Sequence, residues 1–266
     1  MSSARKQKRE YLLVSDFDKT LTHDDSGAVL SQMLGIADYE SRVAGLSQSH
    51  LVQQGGELAY LLVHDPEFRC VRRDHLAEAG KRIRMKANVA RLLRLLQNLD
   101  GFQFRFHILT SAPEELVQEA LAGIVPESDI HGSRFRYSSD TGAIQSIVRA
   151  PAGYGKVAVL EELRSSTGVG HDRLVYMGTG ESDVPLMMHV NRLEGLTIRV
   201  SESGRLNEIA KRTVVSDDAL SLLVPVLEDI VGYDPAQVRT LFGSQGFILQ
   251  EWGKAQTDSL TIAAGA

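Results

Sequence analysis

At 266 residues the chain is long enough to bury a large core, as one big domain or two small ones. Its hydrophobic fraction of 43% and charged fraction of 24% are those of an ordinary soluble globule, and a net charge of -5 speaks against general nucleic-acid binding, which calls for a basic excess. The lone cysteine, Cys70, excludes an intrachain disulfide, and no apolar stretch approaches the length of a membrane span.

Met1 to Glu10 is polar and basic and is expected to be disordered. The apolar run Tyr11 to Val14 is too short for a signal-peptide core, so a cytoplasmic protein is expected. Tyr11 to Phe17 reads as a buried strand. It runs into Asp16-Phe17-Asp18-Lys19-Thr20-Leu21-Thr22, which places two carboxylates at the carboxyl end of that strand, where a parallel α/β sheet has its ligand crevice. One carboxylate there can attack phosphorus, and the second can move the leaving-group proton. A turn would also explain an Asp-x-Asp, so the rest of the chain has to decide.

From Ser26 to about Gly80 the pattern is helical, with Val29, Leu30, Met33 and Leu34 at helical spacing and Leu58, Leu61 and Leu62 repeating it. This region is expected to be a helical insert over the crevice. The basic run Arg69, Arg72, Arg73, Lys81, Arg82, Arg84 and Lys86 reads either as a solvated helix face or as a surface that steers anions. Asn88 to Leu99 is an amphipathic helix with Val89, Leu92, Leu93 and Leu96 on one face, ended by Asp100-Gly101.

Phe102 to Leu109 reads as a strand that closes on Thr110-Ser111-Ala112-Pro113. Ser111 and Glu114 have capping-box spacing, which would put Thr110 and Ser111 at a helix N-terminus suited to anions. Ser133 to Val148 reads as a hairpin about Asp140-Thr141-Gly142. Gly153-Tyr154-Gly155-Lys156 opens a helix, Val157 to Leu163, and is not a Walker loop, since Val157 follows the lysine. Leu174 to Met177 and Leu196 to Val200 are strands, with Gly178-Thr179-Gly180-Glu181-Ser182-Asp183 after the first. Ser216-Asp217-Asp218 caps a helix Ala219 to Val231. In the tail, a short helix Pro235 to Leu241 and a β-like segment Phe247 to Leu249 are expected, with Trp252 as a packing anchor. His23, His107 and His131 show no metal-ligand spacing. Alternating strands and helices imply a doubly wound parallel sheet.

Four strand ends carry chemistry in the order Asp16/Asp18, Thr110/Ser111, Lys156, Gly178 to Asp183. That order resembles the haloacid dehalogenase superfamily, in its phosphoserine phosphatase-like branch, over about Tyr11 to Val231. The resemblance implies an α/β fold: a Rossmann-like core over 1–23 and 81–231, a helical cap over 24–80 inserted after the first strand, and an extension over 232–266. It implies Asp16 as nucleophile and Mg²⁺ ligand, and Asp18 as general acid and base whose carbonyl is a further ligand. Thr110, aided by Ser111, would hold a phosphoryl oxygen, Lys156 would offset negative charge, and Asp183 would help hold Mg²⁺. The family usually carries Asp where this chain has Thr179, so a weaker magnesium site is expected, with Glu181 or Asp183 as candidates to compensate. Asp25, nine residues after Asp16, matches an acid that faces a substrate amine in phosphoserine phosphatases, and equally suits a helix cap. Arg42 is expected to meet an anionic group of the substrate or to lie on the surface.

The function implied is a Mg²⁺-dependent phosphatase acting on a small phosphorylated metabolite, without nucleic-acid or membrane partners. The rivals are a phosphotransferase using the same intermediate and a non-catalytic binding or regulatory protein. Asp18, a leaving-group acid, disfavours dehalogenase chemistry, and nothing selects a phosphomutase.

Overall fold

A computed structural model describes residues 8–200, 209–255 and 257–264. Strand β1 (Arg9–Ser15) lies inside a sheet of order β4-β3-β2-β1-β5-β6-β7-β9-β8. The other strands are β2 (Phe102–Pro113), β3 (Ile130–Tyr137), β4 (Ile144–Arg149), β5 (Leu174–Gly178), β6 (Leu196–Val200), β7 (Arg212–Val215), β8 (Phe247–Ala255) and β9 (Thr257–Ala264). Pairing is parallel from β3 through β9, and antiparallel only at β3–β4 and β8–β9.

Alternation along the strands sorts their side chains into two layers. Leu13, Val175, Met177 and Ile108 enter one core, and Leu12, Val14, Leu174, Tyr176 and Leu109 the other. Helices α7 (Tyr154–Thr167) and α8 (Val184–Arg192) cover the second core through Val159, Leu160, Leu186, Met187 and Val190. The first is covered by α5 (Val89–Gln97), α6 (Glu114–Ala120) and the helices inserted after β1. Val89, Leu92, Leu93 and Leu96 of α5 all point inward, as their spacing requires. Both faces of the sheet are therefore helix-covered, which is why β1 and β5 are continuous apolar runs. The α/β class, the parallel core and the helices after the first strand are as expected.

The insert comprises α1 (Ser26–Leu34), α2 (Tyr39–Ser49), α3 (Glu57–His64) and α4 (Arg73–Arg82). Leu30, Leu58, Leu61, Leu62, Phe68 and Leu76 join the same core as Leu13 of β1. Helix α2 buries no residue and lies outermost. Gly27 lets it approach α1, because a Cβ there would overlap the Tyr39 ring and hydroxyl.

Several elements differ from expectation. Strand β2 continues past Leu109 to Pro113, with four steps of β2 (Leu109 to Pro113) opposite two of β3 (His131 to Ser133). The helix expected over Ala219 to Val231 is three pieces: a 3₁₀ turn, α9 (Leu223–Val226) and a π turn over Leu227–Val231. Pro225 lacks the N–H that a regular helix would bond to Ser221, which breaks the ladder. Asp218 does cap the segment, its carboxylate accepting from the Leu220 amide. Strand β7 was hidden in the sequence because only four residues form it. The tail helix is longer than expected, α10 (Pro235–Ser244), and β8 and β9 extend the sheet beyond β7. Of the expected disordered start, Arg9 and Glu10 belong to β1 and residues 1–7 lie outside the described residues; so does the side chain of Trp252. Among the described residues no helix is long and apolar enough to cross a membrane.

Candidate active site

The carboxyl end of β1 meets that of β5 where the Asp16 amide donates to the Met177 carbonyl at 2.8 Å. Phe17 turns into the core, fully buried, so Asp16 and Asp18 face the opposite way. The Lys19 backbone is left-handed, with φ 58°. Thr22 closes the loop: its Oγ1 accepts from the Lys19 amide at 2.9 Å and donates to the Asp24 carbonyl at 2.7 Å.

Helix α7 delivers Lys156 from its first turn into the core, where it has no solvent exposure. Its Nζ lies 3.1 Å from Asp16 Oδ1, 2.5 Å from Asp183 Oδ1 and 3.4 Å from the Tyr176 hydroxyl. Asp183 is saturated. Its Oδ1 takes Lys156 and the Tyr176 hydroxyl at 2.6 Å, and its Oδ2 takes the Thr179 and Gly180 amides at 3.0 Å each. Gly178 permits this turn, since a Cβ there would sit 2.5 Å from Asp183 Oδ2.

The charges divide unequally among these groups. Burial raises the Asp183 carboxyl, but Lys156 and the three other donors outweigh it and hold it below the usual value. Asp16 is pushed up to about 6 by burial first and by the Asp183 charge second, with Lys156 opposing both. Burial alone would lower Lys156; the two carboxylates raise it instead, so it stays charged. Asp18 is raised well above the usual carboxylate range by burial and then by the Asp25 charge, although Ser26 donates to its Oδ1 from the hydroxyl at 2.6 Å and the amide at 3.1 Å. An ionisable nucleophile thus stands beside a carboxyl whose protonated form burial favours, the division of labour that acid-assisted displacement needs.

A cavity of about 200 Å³ opens on these groups, lined by Asp16, Asp18, Asp25, Glu57, Thr110 and Thr179 among others. The bulge in β2 aims Thr110 at it, as bulges do near sites. Ser111 and Ala112 also line it, but the Ala112 amide is bonded to Thr110 Oγ1 at 3.2 Å. The Ser111–Glu114 capping box does not form: α6 starts at Glu114, and the Glu114 carboxylate accepts from the Gly132 amide and Arg149. Asp25 both caps α1, accepting from the Ala28 amide at 3.0 Å, and lines the cavity. The insert closes on the core where Gln54 donates to Glu181 at 2.7 Å.

Three expectations need correction. Arg42 does not face the cavity; its guanidinium holds Asp65 and Glu67, both at 2.6 Å. Asp183 does not offer an oxygen to a metal, because both are occupied. Glu181 does not line the cavity, and one of its oxygens accepts from Gln54. Sequence reasoning also missed Tyr39 and Glu57, which line the cavity, and Tyr176 beneath it. Helical periodicity marks Tyr39 and Glu57 only as members of helices. A buried glutamate at the start of α3 stands out only once burial is known.

Among the described residues no group of three or more His, Cys, Asp or Glu side chains could hold a metal ion. The Asp16 carboxylate, the Asp18 carbonyl and the Thr179 hydroxyl still suit Mg²⁺, which keeps waters and takes one or two carboxylates plus substrate phosphate. The fit is a weak one: Thr179 is neutral, and its hydroxyl donates to the Asp18 carbonyl at 3.3 Å.

The family model of haloacid dehalogenase-like hydrolases matches residues 13–188, which spans Asp16, Thr110, Lys156 and Asp183. The chain belongs to that family. No curated protein matches it. Among solved structures this hydrolase is similar to a substrate-bound phosphoserine phosphatase complex (TM-score 0.65, 17% identity, covering 84% of this chain and 100% of the other). It is also similar to a phospho-aspartyl intermediate analogue of phosphoserine phosphatase (TM-score 0.63, 18% identity, 84% and 100% covered). A third likeness is to a hydrolase of the same family from Salmonella enterica serovar Typhi (TM-score 0.65, 13% identity, 84% and 73% covered). At these identities the likeness establishes the fold.

Proposed function

We propose that the chain is a phosphomonoester hydrolase acting on a small phosphorylated metabolite through an aspartyl-phosphate on Asp16. The observation that carries this is the Lys156 ammonium, buried 3.1 Å from the Asp16 carboxylate at the end of β1. Replacing a buried ion cluster by apolar groups is often neutral or stabilising, so stability does not require it, whereas chemistry on a phosphate does.

In this reading the phosphoryl group seats beside Lys156 and the Thr110 hydroxyl. Asp16 attacks phosphorus, and Asp18 gives its proton to the departing alcohol oxygen. Asp18, now ionised, takes a proton from water as that water attacks the aspartyl-phosphate, which frees phosphate and restores Asp16. Lys156 relieves the repulsion between carboxylate and phosphate at each attack. Bound Mg²⁺, held by Asp16, the Asp18 carbonyl and Thr179, would add positive charge on the phosphoryl oxygens. Asp183 acts by holding Lys156 and the 179–180 amides in place. Residues 24–80 serve as the cap, whose closure excludes bulk water. A cytoplasmic setting goes with a metabolite substrate.

Phosphate release from a panel of small phosphomonoesters, with Mg²⁺ or EDTA, tests the reading. Turnover in the wild type and its loss in Asp16→Asn is expected. Release without an added acceptor separates hydrolysis from phosphotransfer, and undiminished turnover in Asp16→Asn would sink the mechanism.

A further inference from the structure

The wall of this cavity is acidic beyond Asp16. Asp25 and Glu57 stand on it together with Asp18. Glu57 is 5% exposed, and its carboxylate is fixed by the Ser47 hydroxyl on Oε1 and the Gly55 amide on Oε2, each at 2.7 Å. Those two bonds use about half of a carboxylate's acceptor positions. Tyr39 lies among the three acids; burial and then the charges of Asp25, Asp18 and Glu57 push its hydroxyl well up. Of the described residues lining the cavity, Lys19 is the one cation, and it is exposed, directly after Asp18. Arg42, on the neighbouring α2, is bound to Asp65 and Glu67 instead.

A phosphomonoester with its phosphate at Asp16 and Lys156 therefore presents its other end to fixed carboxylates. We infer that the substrates are phosphorylated amino alcohols, carrying an ammonium group and no carboxylate, with Glu57 as a specificity-determining residue. The inference rests on the phosphatase reading above and narrows it. An ammonium donates three hydrogen bonds and matches the free acceptor positions of Glu57 and Asp25. A substrate carboxylate would face like charge in a desolvated pocket, which is strongly disfavoured. A neutral polyol would leave the acids without a counter-charge. The volume of about 200 Å³ confines the amine-bearing group to a few atoms.

The experiment compares kcat/KM of the wild type and Glu57→Gln on 2-aminoethyl phosphate, L-phosphoserine and glycerol 3-phosphate. The wild type is expected to prefer 2-aminoethyl phosphate by a factor on the order of 10² over the other two, and Glu57→Gln to cut that ratio roughly tenfold. Equal or better turnover of phosphoserine or glycerol 3-phosphate by the wild type overturns the inference and leaves the phosphatase reading standing. An unchanged ratio in Glu57→Gln removes Glu57 from the specificity. Absence of turnover on all three takes kcat/KM out of the comparison, and the phosphatase reading is then decided on the wider panel of phosphomonoesters. Calorimetric binding of 2-aminoethyl phosphate against phosphoserine to the wild type then decides the inference by itself, equal affinity being the outcome against it.

Discussion

Lys156 Nζ sits between Asp16 and Asp183, and the inequality of its two partners governs how pH acts on turnover. Asp16 must be ionised to attack and to take up Mg²⁺, and burial together with Asp183 pushes it up to about 6, so kcat/KM at limiting Mg²⁺ should rise with pH through about 6. Asp18 must hold its proton for the leaving group, and it is raised by burial and Asp25, so the rate should fall again on the alkaline side. Asp25→Asn removes that charge while keeping a side chain able to cap α1, and should move the alkaline limb to lower pH. An alkaline limb that stays put would remove Asp18 from the acid role. At Thr179, an aspartate would supply the second carboxylate that the site lacks. Titrating Mg²⁺ into Thr179→Asp should show affinity higher by roughly tenfold or more, and no gain would mean that position 179 does not face the ion. Asp16, Asp18, Thr110 and Lys156 were legible because each follows a strand or opens a helix within a few residues. Arg42 was not, because its partners Asp65 and Glu67 lie 23 and 25 residues away and nothing local announces them. Asp183 falls in the loop that the sequence indicates, but its partners cannot be read there, since its two amide donors exist only once the 178–183 turn has formed.

At the level of elements, the α1–α2 contact is the joint on which the shape of the cavity depends. Gly27 and Tyr39 both line that cavity, and a side chain at 27 would collide with the tyrosine ring. Gly27→Val should cost about 1–3 kcal/mol in denaturant unfolding, as overpacking does, and should raise KM more than it lowers kcat. A stable variant with unchanged KM would show that the two helices can part without consequence. The same element boundaries show what sequence patterns carry. Helix α5 is legible because burial on one face writes a helical period into the sequence, and strands β5 and β6 because burial on both faces writes a short, mostly apolar run. The β2 bulge at Thr110 was not, since a bulge is decided by the register against β3, a strand some twenty residues on. The three-piece segment from Ala219 to Val231 keeps a helical apolar pattern, and Pro225 was the visible sign that it would not be one regular helix.

Across the whole molecule, the site and the fold draw on the same buried charges, so activity and stability should move in opposite directions. The folded-state value of Asp16 lies above its ordinary 3.8, at about 6, so the native state holds that proton more tightly than the unfolded chain does. The stability this contributes is complete below about pH 4 and is lost as pH rises through about 6, when the carboxylate ionises inside the core. A shift of about two units corresponds to roughly 3 kcal/mol, an order-of-magnitude figure. Asp183 runs the other way: its value lies below the ordinary one, so its contribution is present at neutral pH and is not removed in that interval. Asp16→Asn keeps Lys156 and Asp183 paired and deletes the group that titrates. In EDTA, the unfolding free energy of wild type relative to Asp16→Asn should therefore fall by a few kcal/mol between about pH 4 and pH 7. A difference that stays flat across that interval would mean that Lys156 neutralises Asp16 fully, and that the nucleophile carries no stored cost from burial.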